Sequence, residues 1–283
     1  MEINIAKSSG FCFGVRRAID ISSKLARGKK DVYVLGDIVH NTFVVRDLEN
    51  KGIKRIKGIK NVKGSPTLVI RAHGAPRRTF KRAKECGYRI VDATCPKVKD
   101  IYRIARDLEK KNRVIIIGEK GHDEVKGIAG QLCKRPVIIE SPAGVDKKKL
   151  SRIKKAAVVT QSTQTAGNIS GIMERLERII PDVRLYDTTC RITRIKQQEI
   201  RSLPGNNDVV LIVGSRTSAN TRNLYRIARG INRRTYWIES VKGIRRSWFD
   251  DAEKVGIMAG ASTPERIVDG IVVKLNALQK ERR

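Results

Sequence analysis

The 283-residue chain has few histidines, few aromatic residues and no long apolar segment. Only three residues are histidine, and Phe, Trp and Tyr together make up 5% of the chain. The longest aliphatic runs, such as 114–117 and 209–213, have the length of β-strands and are too short to span a membrane. The first fifteen residues, MEINIAKSSGFCFGV, show no secretory signal. We therefore expect a soluble, cytoplasmic protein.

The five cysteines form an odd set without an even framework of pairs. Such a count excludes a small disulfide scaffold, and a reducing cytoplasm disfavours disulfides altogether. We expect thiols that are reduced, catalytic or metal-bound.

Acidic residues are scarce, with 29 Asp and Glu against 60 Lys and Arg, and the formal net charge is +31. The excess is spread over the whole chain, whereas a nucleic-acid-binding arm would concentrate it in one block. The two densest patches, 51–64 and 146–155, lie between predicted strands, where we interpret them as solvated loops. We expect weak nonspecific attraction to polyanions, and no specific nucleic-acid partner.

Short Val/Ile runs alternate with amphipathic helical stretches, which predicts an α/β protein with mostly parallel sheets. The pattern predicts eleven strands, at 3–6, 32–35, 68–70, 89–92, 114–117, 137–139, 157–160, 184–186, 209–213, 236–238 and 256–258.

Internal repeats divide these strands into three similar modules. The series VIIIG, VIIES and VVTQST (114–163) recurs as VLIVG, YWIES and IMAGAST (210–263), and the first third follows a looser version. We predict module 1 at 13–95, module 2 at 96–190 and module 3 at 191–283. Module 3 lacks a final strand, which we expect the N-terminal segment 1–12 to supply.

Each predicted module presents one cysteine from the end of a strand: Cys95, Cys190 and, for module 3, Cys12. Three thiolates leave one position of a tetrahedral metal or iron–sulfur site open for substrate or water. The alternative is that these are buried structural cysteines, as we assume for Cys86 and Cys133, which occupy no repeated position.

Polar side chains cluster after other strand ends, where α/β folds bind their ligands. They are His40, Asn41, His73, His122, Glu124, Thr160, Gln161, Ser162, Thr163, Ser218, Asn220, Ser262 and Thr263. Imidazole, hydroxyl and amide groups can hold a phosphate or diphosphate, although a Ser or Thr at such a position is often only a helix cap. Glu124 could serve as a general acid in a dry site, the alternative being a surface carboxylate.

Nine motifs in order resemble the 4-hydroxy-3-methylbut-2-enyl diphosphate reductase family, the last enzymes of the methylerythritol phosphate route to isoprenoids. They are GFCFGV, HN at His40, AHG, DATCP, GHDEV, TQST, TTC, SRTSAN and AGAST. The resemblance covers the whole chain and implies a pseudo-threefold, trefoil-like fold around a [4Fe–4S] cluster held by Cys12, Cys95 and Cys190. The fourth iron would bind the allylic hydroxyl of the substrate. Two electrons and two protons would then release water and give isopentenyl and dimethylallyl diphosphates.

The resemblance also implies roles for the polar residues. The diphosphate would be held by His40, His73, Ser218, Asn220 and Ser262, with His122 and Thr163 lining the same pocket. Glu124 would donate a proton through Ser162, with His122 beside it in the catalytic set. Departures from the family pattern are Ser162 for Thr, Ala219 for Ser, and Arg191 and Lys196 where Asn and Arg are expected, which leaves hydrogen bonding after Cys190 in doubt.

The chain contains no dinucleotide fingerprint and no flavin motif, so we expect an external electron donor such as a ferredoxin or flavodoxin. Two alternatives stay open. Quinolinate synthase also gathers three cysteines around a [4Fe–4S] cluster, and a basic RNA-associated protein would account for the charge.

Overall fold

Short strands alternate with helices in the computed structural model, which describes residues 1–28 and 31–281. The strands are β1 (Glu2–Ile5), β2 (Val32–Leu35), β3 (Ile53–Ile56), β4 (Thr67–Ile70), β5 (Arg89–Asp92), β6 (Arg113–Ile117), β7 (Val137–Ile139), β8 (Lys155–Thr160), β9 (Asp182–Tyr186), β10 (Val209–Val213), β11 (Thr235–Ile238) and β12 (Lys254–Ala259). The α-helices are α1 (Phe13–Arg27), α2 (Thr42–Asn50), α3 (Arg77–Glu85), α4 (Pro96–Glu109), α5 (Asp123–Ala129), α6 (Lys147–Leu150), α7 (Ala166–Glu177), α8 (Arg191–Ser202), α9 (Ala219–Ile231) and α10 (Glu265–Lys280).

The strands form three four-stranded sheets in which every pair is parallel. Their orders are β3-β2-β4-β5, β7-β6-β8-β9 and β11-β10-β12-β1, so the three sheets share one topology. The third sheet receives its fourth strand from the N-terminus, because β1 pairs with β12 from Glu2↔Lys254 to Ile5↔Ile257. The prediction of an α/β protein with three similar parallel modules is confirmed.

The interpretation of the two basic patches as loops was wrong in part. The first patch contains β3, an edge strand of four residues, in which Ile53 is buried and the charged Lys54 and Arg55 are exposed. Because only one or two apolar side chains are needed on so short an edge strand, the hydrophobic alternation is too weak to mark it. The second patch contains α6, which Asp146 caps by accepting hydrogen bonds from two backbone N–H groups. The last residue of this patch, Lys155, is the first residue of β8.

The chain divides into two compact units. Unit 1 comprises Met1–Arg16, His40–Val44 and the chain from Arg191 onward, and unit 2 comprises Arg17–Val39 and Val45–Cys190. Unit 1 contains the sheet of β1, β10, β11 and β12, and unit 2 contains the other two sheets. The boundaries of the three predicted modules stay a prediction, and the last two residues of module 3 lie outside the described residues.

The central strands are buried on both faces, as parallel sheets covered by helices require. In β10 of unit 1, Leu211 packs in a core with β12 and α10, while Ile212 packs on the other face with α8 and α9. In β6 of unit 2, Ile115 packs toward α7, and Ile116 packs toward α4 and α5. The helices therefore cover the faces, and only the strand ends are left to carry a site.

Among the described residues, no helix is long and apolar enough to cross a membrane.

Candidate active site

Each of the three sheets has an equivalent strand, β2, β6 or β10, that is followed by a predicted site residue after the same number of residues. β2, β6 and β10 end at Leu35, Ile117 and Val213, and five residues later come His40, His122 and Ser218. Each lies at or next to the start of a helix, namely α2, α5 and α9. Helix N-termini present backbone N–H groups and a positive dipole end, so these positions favour an anion.

Two of these residues are also helix caps. The Nδ1 atom of His122 accepts the N–H of Glu124 at 3.1 Å, and the Oγ atom of Ser218 accepts the N–H of Thr221 at 3.3 Å. Since Nδ1 accepts, the ring proton of a neutral His122 lies on Nε2. At α2 the cap is instead Asn41, which accepts the N–H of Phe43 at 3.0 Å.

The third strand of each set leads to a second series. β4, β8 and β12 end at Ile70, Thr160 and Ala259, and three residues later come His73, Thr163 and Ser262. In unit 1 the hydroxyl of Ser262 donates to the carbonyl of His40 at 3.1 Å. In unit 2 the Oγ1 atom of Thr163 accepts from the side-chain amide of Gln161 at 2.9 Å.

The three predicted cysteine ligands each form the same kind of backbone hydrogen bond. Each directly precedes a helix (α1, α4 or α8), and its N–H donates to the carbonyl two residues beyond the third strand of its sheet. The pairs are Cys12 with Ala261 (3.1 Å) in unit 1, and Cys95 with Ala72 (3.0 Å) and Cys190 with Ser162 (2.9 Å) in unit 2. All three are partly exposed and none forms a disulfide. Reduced, partly accessible thiols in three equivalent positions fit a three-thiolate ligand set.

The other two cysteines neither directly precede a helix nor occupy an equivalent position in the repeat. Cys86 is buried at the end of α3 and packs in a hydrophobic core, and Cys133 is exposed beyond α5.

Glu124 lies on the first turn of α5 and is 2% exposed. Its carboxylate accepts two hydrogen bonds from Ser162, one from the backbone N–H at 2.6 Å and one from the hydroxyl at 2.7 Å. Burial raises the pKa of Glu124 above its usual range, while the bonds from Ser162 act in the opposite direction. Ser162 also accepts the N–H of Cys190, so one residue connects the buried carboxyl group to a cysteine backbone.

Tyr102 was missed by the sequence interpretation, and it fixes His73 relative to α5. Its hydroxyl donates to the carbonyl of His73 at 3.3 Å and fills the space above two glycines. A Cβ atom on Gly74 or Gly127 would lie 2.1 Å from the Tyr102 oxygen, so neither position accepts a larger residue without a shift. The only signal in the sequence is a glycine inside a helix, three residues after Glu124.

Further contacts join the segment around His73 to α5 and the residues that follow it in unit 2. An ion pair of 2.7 Å joins Arg71 to Asp123, and the amide of Gln131 donates to the carbonyl of Ala75 at 2.9 Å. The rings of His73 and His122 meet edge to face with centroids 5.5 Å apart. The structure therefore brings His73, His122, Glu124 and Ser162 into one rigid corner of unit 2.

Asn220, on the first turn of α9 in unit 1, is 5% exposed. Within the part of the chain that the structure describes, neither its amide oxygen nor its amide nitrogen has a hydrogen-bond partner. A buried amide is normally satisfied, so this one is available to a bound ligand. The neighbouring departure, Ala219, is buried and offers no side-chain donor.

Lys196 and Glu199 of α8 supply the hydrogen bonding that was in doubt after Cys190. Lys196 is 1% exposed, and its Nζ donates to the carbonyls of Ser8 and, at 3.2 Å, Ala259. Burial lowers the pKa of Lys196 to about 8, although the charges of Cys12 and Glu199 act to raise it. Arg191, the other departure, is exposed.

Repeated parallel modules that each present a cysteine and polar loops at the carboxyl ends of their strands define a class of ligand-binding α/β proteins. The family model described as LytB protein matches residues 3–276, and the chain belongs to this family. This membership disfavours the quinolinate synthase alternative.

The chain is similar to several proteins described as diphosphate reductases. The 4-hydroxy-3-methylbut-2-enyl diphosphate reductase of Dictyoglomus thermophilum is 38% identical, covering 98% of this chain and 97% of the relative. That of Geobacter sp. (strain M21) is 33% identical over 100% and 99% of the two chains. A solved reductase from Plasmodium falciparum superposes with a TM-score of 0.90 at 26% identity, covering 97% of this chain and 88% of the other. A second reductase structure, described as the terminal enzyme of the non-mevalonate pathway, has 32% identity, a TM-score of 0.72 and coverage of 98% and 100%.

The raised pKa of Glu124 predicts a pH-dependent contribution to stability. In the unfolded chain the carboxyl group loses its proton near its ordinary pKa of 4.5, while the folded protein retains it to higher pH. Relative to Glu124→Gln, the wild-type free energy of unfolding should therefore fall as the pH rises above 4.5, by up to about 1.4 kcal/mol per pH unit until the folded pKa is passed. Urea unfolding of both apo-proteins from pH 5 to 8 measures this difference. The raised pKa of Glu124 would be contradicted if the free energy of unfolding of wild type, minus that of Glu124→Gln, stayed constant or rose with pH.

The contact between Tyr102 and Gly127 predicts a position-specific effect of an added methyl group. Gly127→Ala should destabilise unit 2 by about 1–3 kcal/mol, because the Cβ atom displaces the Tyr102 hydroxyl. Gly167, in α7, has nothing within 4 Å of a Cβ atom and provides the control. Gly167→Ala should be neutral or stabilising by up to about 1 kcal/mol. Urea unfolding measures the free energy of unfolding of both variants. Equal changes would argue against a tight contact between Tyr102 and Gly127.

Proposed function

We propose that this protein catalyses the reductive dehydroxylation of (E)-4-hydroxy-3-methylbut-2-enyl diphosphate to isopentenyl and dimethylallyl diphosphates, the terminal step of the non-mevalonate isoprenoid route. Membership of the LytB family and the names of its relatives support this reaction. The observation in the structure that carries the proposal is the buried Glu124, paired with Ser162, whose carbonyl in turn holds the N–H of Cys190. This arrangement supports a role for Glu124 as a proton source near Cys190.

The family is one of iron–sulfur enzymes. We propose that Cys12, Cys95 and Cys190 are the ligands of a [4Fe–4S] cluster, on the basis of their equivalent backbone positions and reduced thiols. When bound, such a cluster supplies electrons to the substrate and, at the iron without a cysteine, a position for its hydroxyl oxygen.

Within this proposal, Glu124 is the proton donor. The reaction breaks the allylic carbon–oxygen bond with two electrons, and two protons balance it, giving water and a new carbon–hydrogen bond. Burial keeps Glu124 protonated at a pH where an exposed glutamate is ionised. Ser162 can pass the proton on, because its hydroxyl lies 2.7 Å from the carboxyl group and can accept and donate in turn. The ring of His122 contacts Glu124 directly, because its Nδ1 atom accepts the backbone N–H of Glu124.

We propose that the diphosphate binds to the polar groups at the strand ends. The candidates are His40, His73, His122, Thr163, Ser218, Asn220 and Ser262. Neutral hydrogen-bond donors at helix N-termini can hold the diphosphate without adding a fixed charge to the reaction centre. The unsatisfied amide of Asn220 is the observation that most directly favours a ligand there.

We propose that the electrons come from another protein. We propose a ferredoxin or flavodoxin, which the net charge of +31 would attract over long distances if the carrier is acidic. Such steering weakens with salt.

Anaerobic purification followed by iron and sulfide quantification tests the cofactor and the reaction together. We expect a coloured protein that converts the allylic diphosphate when given a strong one-electron donor. Cys12→Ser, Cys95→Ser and Cys190→Ser should each lower the iron content, while Cys86→Ser and Cys133→Ser should leave it unchanged. A colourless, iron-free protein that co-purifies with nucleic acid in low salt would instead favour the RNA-associated alternative.

Glu124→Gln tests the proton donor. We expect kcat to fall by about 10²–10⁴-fold, the range of general acid catalysis, with KM changed much less. Ser162→Thr should keep most of the activity because it retains the hydroxyl, whereas Ser162→Ala should lose it. Glu177→Gln, at an exposed glutamate of α7, is the control and should behave as wild type. Full turnover by Glu124→Gln would exclude the role.

A further inference from the structure

Two charged residues of α8 hold the segment that precedes Cys12. Lys196 donates from Nζ to the carbonyl of Ser8, and Glu199 accepts the backbone N–H of Ser8 at 2.9 Å and its hydroxyl at 2.5 Å. Glu199 also accepts the N–H of Lys7. Both hydrogen-bonding groups of the Ser8 backbone are therefore bound by one helix.

The same segment is joined to the end of β12. The hydroxyl of Ser9 accepts the N–H of Ala259 at 3.0 Å, and the N–H of Cys12 donates to Ala261. Lys196 reaches the carbonyl of Ala259 as well, so its ammonium group connects the segment and the strand end at one point. All of these contacts lie within unit 1.

Comparison of the three helices that follow the predicted ligands shows that this pair is unusual. α1, α4 and α8 each begin directly after a cysteine. The sixth residue after the cysteine is Ala18 in α1 and Ile101 in α4, both fully buried, but Lys196 in α8. The ninth residue is Ile21 in α1 and Ile104 in α4, but Glu199 in α8. Two positions that are apolar twice, the sixth in the core and the ninth half-buried, thus carry charges in the third repeat.

Stability does not explain this exchange. Removing a charge from water costs several kcal/mol, and a well-packed apolar side chain is often as stable or more stable at such a position. The ammonium group of Lys196 does have a specific place, because it donates to the carbonyls of Ser8 and Ala259, on the segment and the strand end that lead to Cys12 and its acceptor Ala261.

We propose that Lys196 and Glu199 form a positioning pair for Cys12. Glu199 fixes the backbone of Lys7 and Ser8, and Lys196 keeps a positive charge on the segment that leads to this one predicted ligand. Neither residue is expected to touch the substrate. The pair makes the Cys12 side of the metal site electrostatically different from the sides of Cys95 and Cys190. The proposal rests on the proposed function only in taking Cys12 as a cluster ligand.

The test replaces the pair by the residues of α4. The double variant Lys196→Ile/Glu199→Ile removes both charges and their hydrogen bonds to Ser8, so the stability of its apo-protein in urea is measured beside that of wild type. After anaerobic reconstitution, its iron should be lost to a chelator faster than in wild type, by about tenfold or more, as for other partners of metal ligands. Lys274→Met, at an exposed lysine of α10, is the control and should lose iron at the wild-type rate.

Two single variants separate charge from packing. Lys196→Met keeps the length of the side chain without its charge and should shift the reduction midpoint of the cluster to a more negative potential. Lys196→Arg retains the charge and should restore a midpoint near that of wild type. If the double variant does not fold, Lys196→Met carries the iron-loss comparison alone.

The outcomes separate this inference from the function. Iron-loss rates and midpoints equal to wild type in an iron-bearing Lys196→Met protein would overturn the positioning pair and leave the reductase proposal intact. Wild-type protein that takes up no iron would overturn both. Loss of apo-protein stability in Lys196→Met with unchanged iron retention in the folded fraction would assign the pair a structural role only and overturn the proposal.

Discussion

The backbone hydrogen bond from each of three cysteines to the second residue beyond a neighbouring strand is the constraint on which the site depends. A cysteine that directly precedes a helix has an N–H group that the helix itself cannot satisfy. In Cys12, Cys95 and Cys190 a carbonyl at the strand end accepts it. The acceptor is in every case followed by a predicted ligand residue, namely Ser262, His73 and Thr163. One repeated bond thus fixes, within each sheet, both the thiol and the neighbouring polar side chain.

Charge is distributed in opposite ways on the surface and in the site. The net charge of +31 is carried mostly by exposed lysines and arginines, and the proposed substrate contacts are imidazole, hydroxyl and amide groups. Burial raises the pKa of Glu124 and lowers the pKa of Lys196, so in both groups it favours the neutral form. A surface charge of this kind affects how fast anions and acidic proteins arrive, while the chemistry depends on a few desolvated groups.

Much of the architecture could be predicted from the residues, because continuous Val/Ile runs mark strands buried on both faces. Eleven strands and the threefold repeat were read in this way, and β3 was missed because Lys54 and Arg55 interrupt its pattern. The polar residues of the strand ends could be predicted as candidates because each follows a predicted strand, and their roles stay predictions. Tyr102, Glu199 and the partners of Lys196 could not be found, since their roles depend on contacts between residues far apart in the chain. No sequence motif or repeat connects Tyr102 with Gly127, or Glu199 with Ser8.

The pairing of β1 with β12 affects the order of events during synthesis. Residues 2–5 are synthesised well before their partner strand at 254–259. Until that strand is made, the N–H of Cys12 has no Ala261 carbonyl to bind, and β1 cannot join the sheet of unit 1. Pairing across such a separation is slow to form. The proposed metal site at Cys12 therefore cannot be completed before β12 has been synthesised.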